Sequence, residues 1–455
     1  MTAIADLVIV GGGAAGFAAA LTAAEAGLEV ILLEKLAQTG GSSAMSGGCL
    51  AFAGTDLQRT HGVEDTPDLL FQDLREVGKF ENDEALVRLY ADQQLAAYAW
   101  LRRCGVEFSP TLEAASGQSA RRVHSVDPAD MVRRLAANAL ATGRLRLLTG
   151  LAATGLVREA GGRVTAVRTG GSPALIEARR GVLLASGGFC RNPELVHLFA
   201  PHYDEAVFVG GAGSTGDGLR IAWKLGADLR DMAYIKGTYG KHPTDETNDH
   251  SLQAVYKGAI AVNQNGDRYV DESLSYKLLG DACMAQPYHT TYQILDQDIF
   301  DSGDDRVRIF DFGRRLEEGL FVVADTLADL ATRLEIDPER LAATVERYNG
   351  FVDAGADTDF GRAHLVHRHG SLRRIERGPF YAYPSTAVVF GTYCGLRVDT
   401  SMRVIDVDGD PIDGLFAAGE VMGGFHGAAY MTGSALGKAV VFGRHAAALI
   451  ATGAA

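Results

Sequence analysis

Cysteine is scarce in this chain, and its placement favours neither disulfides nor a metal site. Five cysteines are spread over 455 residues without a CxxC pair: Cys49, Cys104, Cys190, Cys283 and Cys394. This spacing excludes a disulfide-rich scaffold and predicts reduced thiols in a cytoplasmic protein. The His, Cys, Asp and Glu residues form no cluster with the spacing of metal ligands, so we expect no bound metal.

Positive charge and long apolar runs are lacking as well. The sequence has 43 Lys and Arg residues against 57 Asp and Glu residues, a formal net charge of −14. Nucleic-acid binding needs a clustered basic face, so we expect no nucleic-acid partner. No apolar run reaches the roughly 18 residues that cross a bilayer, and we expect no membrane span. A strand-like run begins by Leu7, so we expect no secretory leader.

Glycine, by contrast, is abundant, with 55 glycines against 12 prolines. The length predicts two or three domains, and a hydrophobic content of 47% is enough for large cores. Because glycine lets the backbone approach a ligand closely, dense clusters of it predict a large cofactor site. The clusters lie at residues 11–16, 40–54, 187–188, 210–218 and 414–437.

The first 34 residues have the pattern of a βαβ unit. An apolar strand over Leu7–Val10 leads into a glycine turn, a helix over Ala14–Ala26 and a second apolar strand over Val30–Leu33. Continuously apolar strands are buried on both faces, so we expect a parallel sheet of the Rossmann-like α/β class. Asp127 is a predicted N-cap. Further helices are predicted over 84–104, 128–141, 326–334, 337–353 and 434–450, with a β-meander over 145–175.

The amino-acid composition of the sequence changes near residue 234. Aromatic-rich loops follow, with a hairpin predicted from strands at 259–263 and 268–270 around the Asn265-Gly266 turn. After about residue 390 the sequence again has the glycine-rich composition of its first part. This arrangement predicts an α+β domain inserted into a parallel-sheet domain.

The N-terminal turn carries the pattern Gly11-x-Gly13-x-x-Gly16, and Glu34 ends the next strand. The glycines allow a tight turn, close approach of a pyrophosphate and helix–strand packing, while the acidic side chain can accept hydrogen bonds from ribose hydroxyls. A second match, Gly211-x-Gly213-x-x-Gly216, lacks a following strand that ends in an acidic residue. The sequence therefore predicts one dinucleotide site, at the N-terminus.

FAD explains the glycine clusters better than NAD, because NAD needs only the first of them. FAD is long enough to require contacts from the loops near residues 40–48, 187, 217 and 420. The predicted cofactor contacts are Gly11, Gly13, Ala15, Gly16, Glu34, Lys35, Gly40, Gly41, Ser42, Ser43, Gly47, Gly48, Gly187, Asp217, Gly419, Glu420, Ser434 and Leu436.

These segments together resemble the fumarate reductase/succinate dehydrogenase flavoprotein family, which includes the 3-ketosteroid dehydrogenases. The resemblance covers essentially the whole chain and keeps the family order. It implies a Rossmann-like FAD-binding domain over 1–233 and 391–455, interrupted by a capping domain over 234–390, with substrate between the cap and the flavin. The matching pieces are Val10–Gly16 with Glu34, Gly40–Gly48, Ala185–Phe189, Thr215–Gly218, Val262–Glu272, Asp337–Arg362 and Gly414–Gly437.

The resemblance also implies what stands at the reactive end of the flavin. Where fumarate reductases place an arginine proton donor, a substrate histidine and a second arginine, this chain has Tyr276, Gly391 (before Thr392) and Tyr430. A dicarboxylate needs fixed guanidinium groups, and these are replaced. His242 resembles the family's other substrate histidine.

The same replacements resemble the 3-ketosteroid dehydrogenases. By that resemblance Tyr276 removes the proton next to the ketone, and Tyr430 with the Gly433 N–H holds the ketone oxygen. A further tyrosine assists the base in those enzymes; Tyr98 and Tyr256 are the candidates here. The succinate dehydrogenase type attaches its flavin through a histidine near residue 42, whereas this chain has Ser42 and Ser43, so we expect non-covalent FAD.

We therefore expect an FAD-dependent dehydrogenase that introduces a Cα–Cβ double bond next to the carbonyl of a cyclic ketone. The substrate is either a cyclohexanone, such as an oxocyclohexanecarboxylate, or a 3-ketosteroid. Two alternatives stay open: an enoate reductase that runs the hydride transfer in reverse, and a flavin subunit that only relays electrons. The electron acceptor is not indicated by the sequence.

Overall fold

The βαβ unit predicted at the N-terminus begins the fold. In the computed structural model, which describes residues 2–204, 206–244 and 251–454, strand Thr2–Val10 pairs in parallel with Val30–Leu33. The helix between them spans Ala14–Glu25, and Gly13 is its N-cap residue. Leu7 lies opposite Val30, and the runs Leu7–Val10 and Val30–Leu33 are buried, as their apolar sequences predict, whereas Ile4 near the start of the first strand is 51% exposed.

The other helices that the sequence predicts are found in the structure. Those predicted near 84–104, 128–141, 326–334, 337–353 and 434–450 are all present, and the Asp127 carboxylate accepts the N–H groups of Ala129 and Asp130 at 2.9 and 3.0 Å. In chain order the helices are α1 (Ala14–Glu25), α2 (Gly41–Ala44), α3 (Asp56–Thr60), α4 (Pro67–Val77), α5 (Glu84–Arg103), α6 (Pro128–Ala141), α7 (Pro193–Phe199), α8 (Asp217–Trp223), α9 (Tyr276–Met284), α10 (Gln297–Phe300), α11 (Phe312–Glu317), α12 (Leu327–Arg333), α13 (Pro338–Ala354) and α14 (Ser434–Thr452).

The strands divide into two large sheets and two small ones. In chain order they are β1 (Thr2–Val10), β2 (Val30–Leu33), β3 (Cys49–Ala51), β4 (Leu112–Glu113), β5 (Val123–Ser125), β6 (Leu145–Leu148), β7 (Ala153–Arg158), β8 (Val164–Thr169), β9 (Leu175–Leu184), β10 (Val207–Phe208), β11 (Leu229–Arg230), β12 (Ile235–Lys241), β13 (Ile260–Val262), β14 (Thr290–Leu295), β15 (Val322–Ala324), β16 (Phe380–Thr392), β17 (Gly395–Leu396), β18 (Arg403–Ile405) and β19 (Pro411–Ala417).

The first large sheet has the order β18-β19-β9-β1-β2-β6, and its neighbours from β19 to β6 are parallel. The predicted meander is β7, β8 and the first part of β9, which pair antiparallel at one side of the sheet. Helix α1 packs against α14 on this sheet. The predicted α/β class with a parallel sheet is confirmed. Loops that follow β1, β2, β9 and β19 meet at the carboxyl edge, where α/β proteins bind their ligands.

The second large sheet belongs to the capping region and is organised by β16. This strand pairs with β10, β12, β14 and β15, and β13 pairs with β14. The predicted hairpin at 259–263 and 268–270 is present only in part, because β13 and the turn form but the second strand is reduced to one bridge, Val262 to Arg268. The Asn263 side chain accepts two loop N–H groups, and Arg268 turns inward to the buried carboxylates of Glu272 and Asp357.

Each large sheet has its own hydrophobic core. The division into 1–233, 234–390 and 391–455 stays a proposal. The second sheet takes in two short stretches outside the middle segment, Val207–Phe208 and the end of β16 at Thr392. Within the described residues, no helix combines the length and the apolar character needed to cross a membrane.

Candidate active site

The glycines of the N-terminal turn are required by close backbone contacts. Gly11 has a φ of +115°, and a Cβ there would lie 2.3 Å from the carbonyl oxygen of Ala185. A Cβ at Gly16 would lie 1.9 Å from the carbonyl oxygen of Gly11. The turn therefore presses against the loop after β9 and leaves the N-terminus of α1 facing an elongated cavity, where its N–H groups favour an anion.

Glu34 ties this turn to the end of β2. Its carboxylate accepts the Gly12 N–H at 3.0 Å and the Leu36 N–H at 2.9 Å. Glu34 is also one of the residues that line the cavity. In this position the Glu34 carboxylate can both fix the loop and accept hydrogen bonds from ribose hydroxyls.

A second group of loop side chains contacts the N-terminus of α1 and the loop near residue 211. Ser43 Oγ accepts the Ala14 N–H at 3.1 Å, and Ser42 Oγ accepts the Gly211 N–H at 2.9 Å. Lys35 Nζ donates to Asp217 Oδ2 at 2.6 Å. The loop that carries the second glycine pattern thus belongs to the same cavity, in agreement with the prediction of one dinucleotide site.

Glu420 also lines the cavity. Its Oε1 accepts the Thr392 N–H at 2.8 Å. A Cβ at Gly188 or at Gly391 would lie 2.5 Å from that same oxygen, so a side chain at either position would displace the Glu420 carboxylate. The N-terminus of α14 follows, with Ala435 and Leu436 among the lining residues.

The cavity brings together most of the predicted cofactor residues. It encloses about 2020 Å³ of space, part of it open to solvent. Gly16, Gly40, Gly419 and Ser434 do not line it themselves but belong to the segments that do. The predicted residues that line it are Gly11, Gly13, Ala15, Glu34, Lys35, Gly41, Ser42, Ser43, Gly47, Gly48, Gly187, Asp217, Glu420, Leu436, Tyr276, Tyr430, Gly391 and Thr392.

Two buried hydroxyls support the fit of a large polar cofactor. Ser186 Oγ and Thr392 Oγ1 line the cavity and have no hydrogen-bond partner within the described part of the chain. Buried polar atoms normally find partners, so these two point to a ligand with polar atoms along its length. The ribityl and phosphate groups of FAD provide such atoms.

Tyr276 and Tyr430 meet at one end of the cavity. Tyr276 is the first residue of α9, and its phenol oxygen accepts the Thr432 hydroxyl at 2.8 Å. The Tyr430 oxygen accepts the Gly433 N–H at 3.2 Å. The two ring centroids are 6.2 Å apart. The structure therefore brings together the three residues predicted to act on the ketone, although Gly433 lies behind the lining rather than in it.

The Tyr276 phenol is strongly shielded from water, with a residue exposure of 5%. Burial raises its pKa well above the usual 10, the neighbouring Tyr256 adds to this, and the Thr432 hydroxyl opposes it. The resting side chain is thus neutral at physiological pH.

Sequence reasoning left the assisting tyrosine open, and the structure separates the two candidates. The Tyr256 ring lies 5.3 Å from the Tyr276 ring. Tyr98 instead donates to Asp56 at 2.8 Å and packs on Phe52. Only Tyr256 is therefore placed to affect Tyr276.

Tyr393 and His426 are site residues that the sequence analysis missed. The Tyr393 ring stacks on Tyr430 at 5.5 Å with an interplanar angle of 11°, and the His426 ring lies 5.6 Å from Tyr430. Tyr393 lines the cavity, and its buried hydroxyl has no hydrogen-bond partner among the described residues. A signal was present, because Tyr393 directly follows Gly391-Thr392.

His242, predicted as a substrate residue, does not line the cavity. Its ring lies 5.4 Å from Tyr383, and its Nδ1 pairs with the Thr244 hydroxyl at 2.9 Å. The structure thus does not bring His242 to the tyrosines, and its assignment has no support from this geometry.

Comparison with known proteins decides which cofactor fits this cavity. A family model described as an FAD binding domain matches residues 6–436. The chain belongs to this flavoprotein family. Urocanate reductase of Eggerthella lenta is 34% identical over 466 residues, 98% of this chain and 75% of that protein. The 4-oxocyclohexanecarboxylate 2-dehydrogenase of Sinomonas cyclohexanicum is 30% identical over 542 residues, 99% of this chain and 93% of that protein.

Solved structures agree with this placement of the flavoprotein. A flavocytochrome c3 fumarate reductase in its open conformation is 30% identical with a TM-score of 0.77, over 99% of this chain and 78% of that one. The 3-ketosteroid-Δ4-(5α)-dehydrogenase of Rhodococcus jostii, in complex with 4-androstene-3,17-dione, is 25% identical with a TM-score of 0.78, over 99% of this chain and 97% of that one. The predicted family and FAD are confirmed, and the flavoprotein is an FAD-dependent oxidoreductase.

Glu34→Ala is expected to weaken FAD binding to the flavoprotein by about 10- to 100-fold, because charge-assisted hydrogen bonds contribute about 1.5–3 kcal/mol. The change removes both the brace on the Gly12 N–H and the acceptor for ribose. Fluorescence of FAD released on dilution measures the dissociation constant. Glu29→Ala, which breaks only the exposed pair with Arg144, is the matched control. Equal retention by the two variants would contradict the role given to Glu34.

Proposed function

We propose that the flavoprotein desaturates the Cα–Cβ bond next to the carbonyl of a cyclic ketone. The observation that carries this proposal is the convergence of two tyrosine hydroxyls and one backbone N–H at one end of the FAD cavity. Such a group can hold a carbonyl oxygen and exchange a proton with the neighbouring carbon, and neither task needs a metal ion.

Tyr430 and the Gly433 N–H hold the ketone oxygen in this proposal. In the structure the Gly433 N–H donates to the Tyr430 oxygen at 3.2 Å, and it would exchange this acceptor for the ketone oxygen. A carbonyl oxygen there would accept from the Tyr430 hydroxyl and the N–H, and both bonds strengthen as enolate charge develops. The stacked Tyr393 ring fixes the orientation of Tyr430.

Tyr276 takes the proton from the α-carbon. The Thr432 hydroxyl, which donates to the Tyr276 oxygen at 2.8 Å, stabilises the negative charge that this oxygen needs to act as a base. FAD, when bound, accepts the hydride from the β-carbon. One α-proton and one β-hydride leave, and a double bond forms between the two carbons. An external electron acceptor, still to be identified, restores the oxidised enzyme.

The composition of the cavity supports a ketone over a dicarboxylate. Among the described residues that line it, Arg308 alone supplies a guanidinium group, and it lies on a short 3₁₀ turn of the capping region. Fixed arginines are the usual partners of carboxylate pairs. A relative named for a cyclic oxo acid and a structure solved with a steroid ketone are consistent with this choice.

The reverse reaction is a second candidate that one observation favours. The pKa of Tyr276 is raised well above 10 by burial, and a neutral phenol donates a proton more readily than it accepts one. A reduced enzyme could therefore protonate the α-carbon of an enone with Tyr276 as the acid. The same residues keep their places, and only the direction of electron flow differs. A subunit without chemistry of its own is disfavoured, because two tyrosines with hydrogen-bonded hydroxyls line the cavity.

Anaerobic mixing with candidate substrates tests the proposal. Cyclic ketones should bleach the oxidised flavin, whereas fumarate should not reoxidise the dithionite-reduced protein, because the tyrosine end lacks guanidinium groups. Absorbance near the flavin maximum follows both reactions in a stopped-flow instrument. Efficient reoxidation by fumarate, with no bleaching by any ketone, would overturn the assignment.

A further inference from the structure

Three side chains from distant parts of the chain form a cluster that is separate from the lining of the flavin cavity. Asp73 and Glu76 lie three residues apart on α4, which places them on one face of the helix, and His367 comes from a turn of the capping region. One nitrogen or oxygen atom of each residue lies within 4.8 Å of the other two. We call these residues the α4–His367 cluster. The roles given to FAD and the tyrosines do not account for it.

The His367 ring lies at distances from both carboxylates that suit a shared ion better than direct hydrogen bonds. Its Nε2 is 3.6 Å from Asp73 Oδ1 and 3.4 Å from Glu76 Oε2. A hydrogen bond between an imidazolium and a carboxylate is about 2.7–2.9 Å long. Two ligands that are each about 2.0–2.2 Å from one tetrahedral ion lie about 3.3–3.6 Å from each other. Both separations agree with the second arrangement.

Two of the atoms that face each other are buried and make no hydrogen bond. Asp73 Oδ1 and His367 Nε2 have no hydrogen-bond partner within the described part of the chain. The Asp73 side chain is 0% exposed and that of His367 is 20% exposed. A buried carboxylate oxygen without a donor is costly, and native proteins contain few of them. One cation between the two atoms would give a partner to both.

The second oxygen of Asp73 is held by other residues. Oδ2 accepts the Ser119 N–H at 3.0 Å, the Ser119 hydroxyl at 2.6 Å and the buried Arg122 guanidinium. Arg122 also donates to both oxygens of Asp65, at 2.6 and 2.7 Å. These bonds fix the Asp73 carboxylate and leave Oδ1 for the cluster. Carboxylates that bind metals are commonly oriented by such outer hydrogen bonds.

The ligand atoms select the class of metal ion. Two carboxylates and one imidazole suit a divalent transition-metal ion such as Zn²⁺, whereas Mg²⁺ and Ca²⁺ prefer oxygen ligands alone. Arg368 Nη2 competes for the Glu76 carboxylate, from which it lies 2.9 Å away. Because the Arg368 side chain is 58% exposed, it can move into solvent when an ion binds. The sequence predicted no metal site because His367 is far from α4 along the chain.

We propose that Asp73, Glu76 and His367 bind one divalent transition-metal ion, best matched by Zn²⁺, which joins α4 to the capping region. Three protein ligands leave the fourth position of a tetrahedral ion for water. The His367 N–H donates to the carbonyl of Ser273 at 3.3 Å, three residues before Tyr276, so the ion steadies the turn beside the tyrosine end of the cavity. Its role is structural and does not depend on the proposed function.

Zinc binding to the FAD-loaded protein tests the site directly. The holoenzyme is freed of metal ions with a chelator, dialysed and titrated with Zn²⁺ in a calorimeter. The wild type should bind one equivalent per chain. His367→Gln removes a ligand and should weaken this binding by at least about 100-fold, beyond the 10- to 100-fold that the loss of an outer hydrogen bond costs.

Two further variants give the titration an opposite sign and a control. Arg368→Gln removes the cation that competes for Glu76 and should tighten zinc binding by about two- to fivefold, the size of an exposed ion pair. His197→Gln breaks a histidine–carboxylate pair with Asp204, 2.6 Å long and outside the cluster, and should bind zinc as the wild type does. Equal zinc affinity in His367→Gln and the wild type would overturn the site.

X-ray absorption at the zinc edge keeps the test decisive even if a variant folds poorly. The zinc-loaded wild type should show nitrogen and oxygen ligands at about 2.0–2.2 Å and no sulfur at about 2.3 Å, because the cluster contains no cysteine. Zinc should also raise the melting temperature of the wild type but not that of His367→Gln. Sulfur ligands, or no zinc bound by the wild type, would contradict the proposal. None of these measurements uses the flavin reaction.

Discussion

Tyr276→Phe is expected to slow flavin bleaching by a cyclic ketone by about 10²–10⁴-fold, the span of general acid–base catalysis. The substitution removes one hydroxyl and leaves the buried ring against Tyr256 and Tyr430. FAD content and ketone binding should therefore stay close to wild type. Stopped-flow absorbance at saturating ketone isolates the chemical step from binding.

A pH profile distinguishes a base from a structural phenol. Because burial raises the pKa of Tyr276 above 10, the phenolate fraction at neutral pH is small and grows about tenfold per pH unit below that pKa. Desaturation by the wild type should accelerate with rising pH through this range, and the residual rate of Tyr276→Phe should not. Tyr288→Phe, which alters a tyrosine that is 85% exposed, serves as the control. A wild-type rate and profile in Tyr276→Phe would place the base elsewhere.

Tyr430→Phe is expected to reduce the same rate by about 10²–10³-fold, equivalent to about 2.7–4 kcal/mol, because one of two donors to the developing enolate is lost. The Gly433 N–H, which donates to Tyr430 at 3.2 Å in the structure, stays in place and should preserve some activity. Ketone affinity should fall less than the rate, since the bond is strongest in the transition state.

Hydrogen exchange separates the two tyrosines. In D₂O, with the flavin kept reduced so that hydride transfer to it is blocked, the wild type should exchange the α-hydrogen of the ketone for deuterium. Tyr276→Phe should abolish this exchange, and Tyr430→Phe should slow it. Exchange at the wild-type rate in Tyr430→Phe would contradict its role as a donor to the ketone oxygen.

The parts of the fold that could be predicted are those specified by local sequence. The apolar strand before Gly11, the glycine turn and Glu34 are close together in the chain, and their geometry follows from steric rules. The N-cap at Asp127 and the ends of α5, α6 and α14 were equally local. The cofactor loops around Gly187, Asp217 and Glu420 were predicted from the glycine clusters and the length of FAD, and the family resemblance supplied their order along the chain.

The capping region was predicted less well because its contacts are long-range. Strand β16 joins segments as far apart as β10 and β15, and no local pattern encodes that pairing. The hairpin at Asn265-Gly266 had the right turn residues, yet the buried ion pair of Arg268 with Glu272 diverts the second strand. Tyr256 and Arg308 come from separate parts of the cap. Only the folded chain reveals that Tyr256 lies beside Tyr276 and that Arg308 lines the cavity.

The central claim is that the flavoprotein removes two hydrogens from the Cα–Cβ bond of a cyclic ketone. Its most direct test is an anaerobic single turnover of oxidised holoenzyme with excess 4-oxocyclohexanecarboxylate, with the ring products identified by NMR and mass spectrometry. The account predicts one equivalent of the 2-enone for each flavin bleached. Bleaching without enone, or an unbleached flavin in the presence of this ketone and of neutral and steroid ketones, would contradict it.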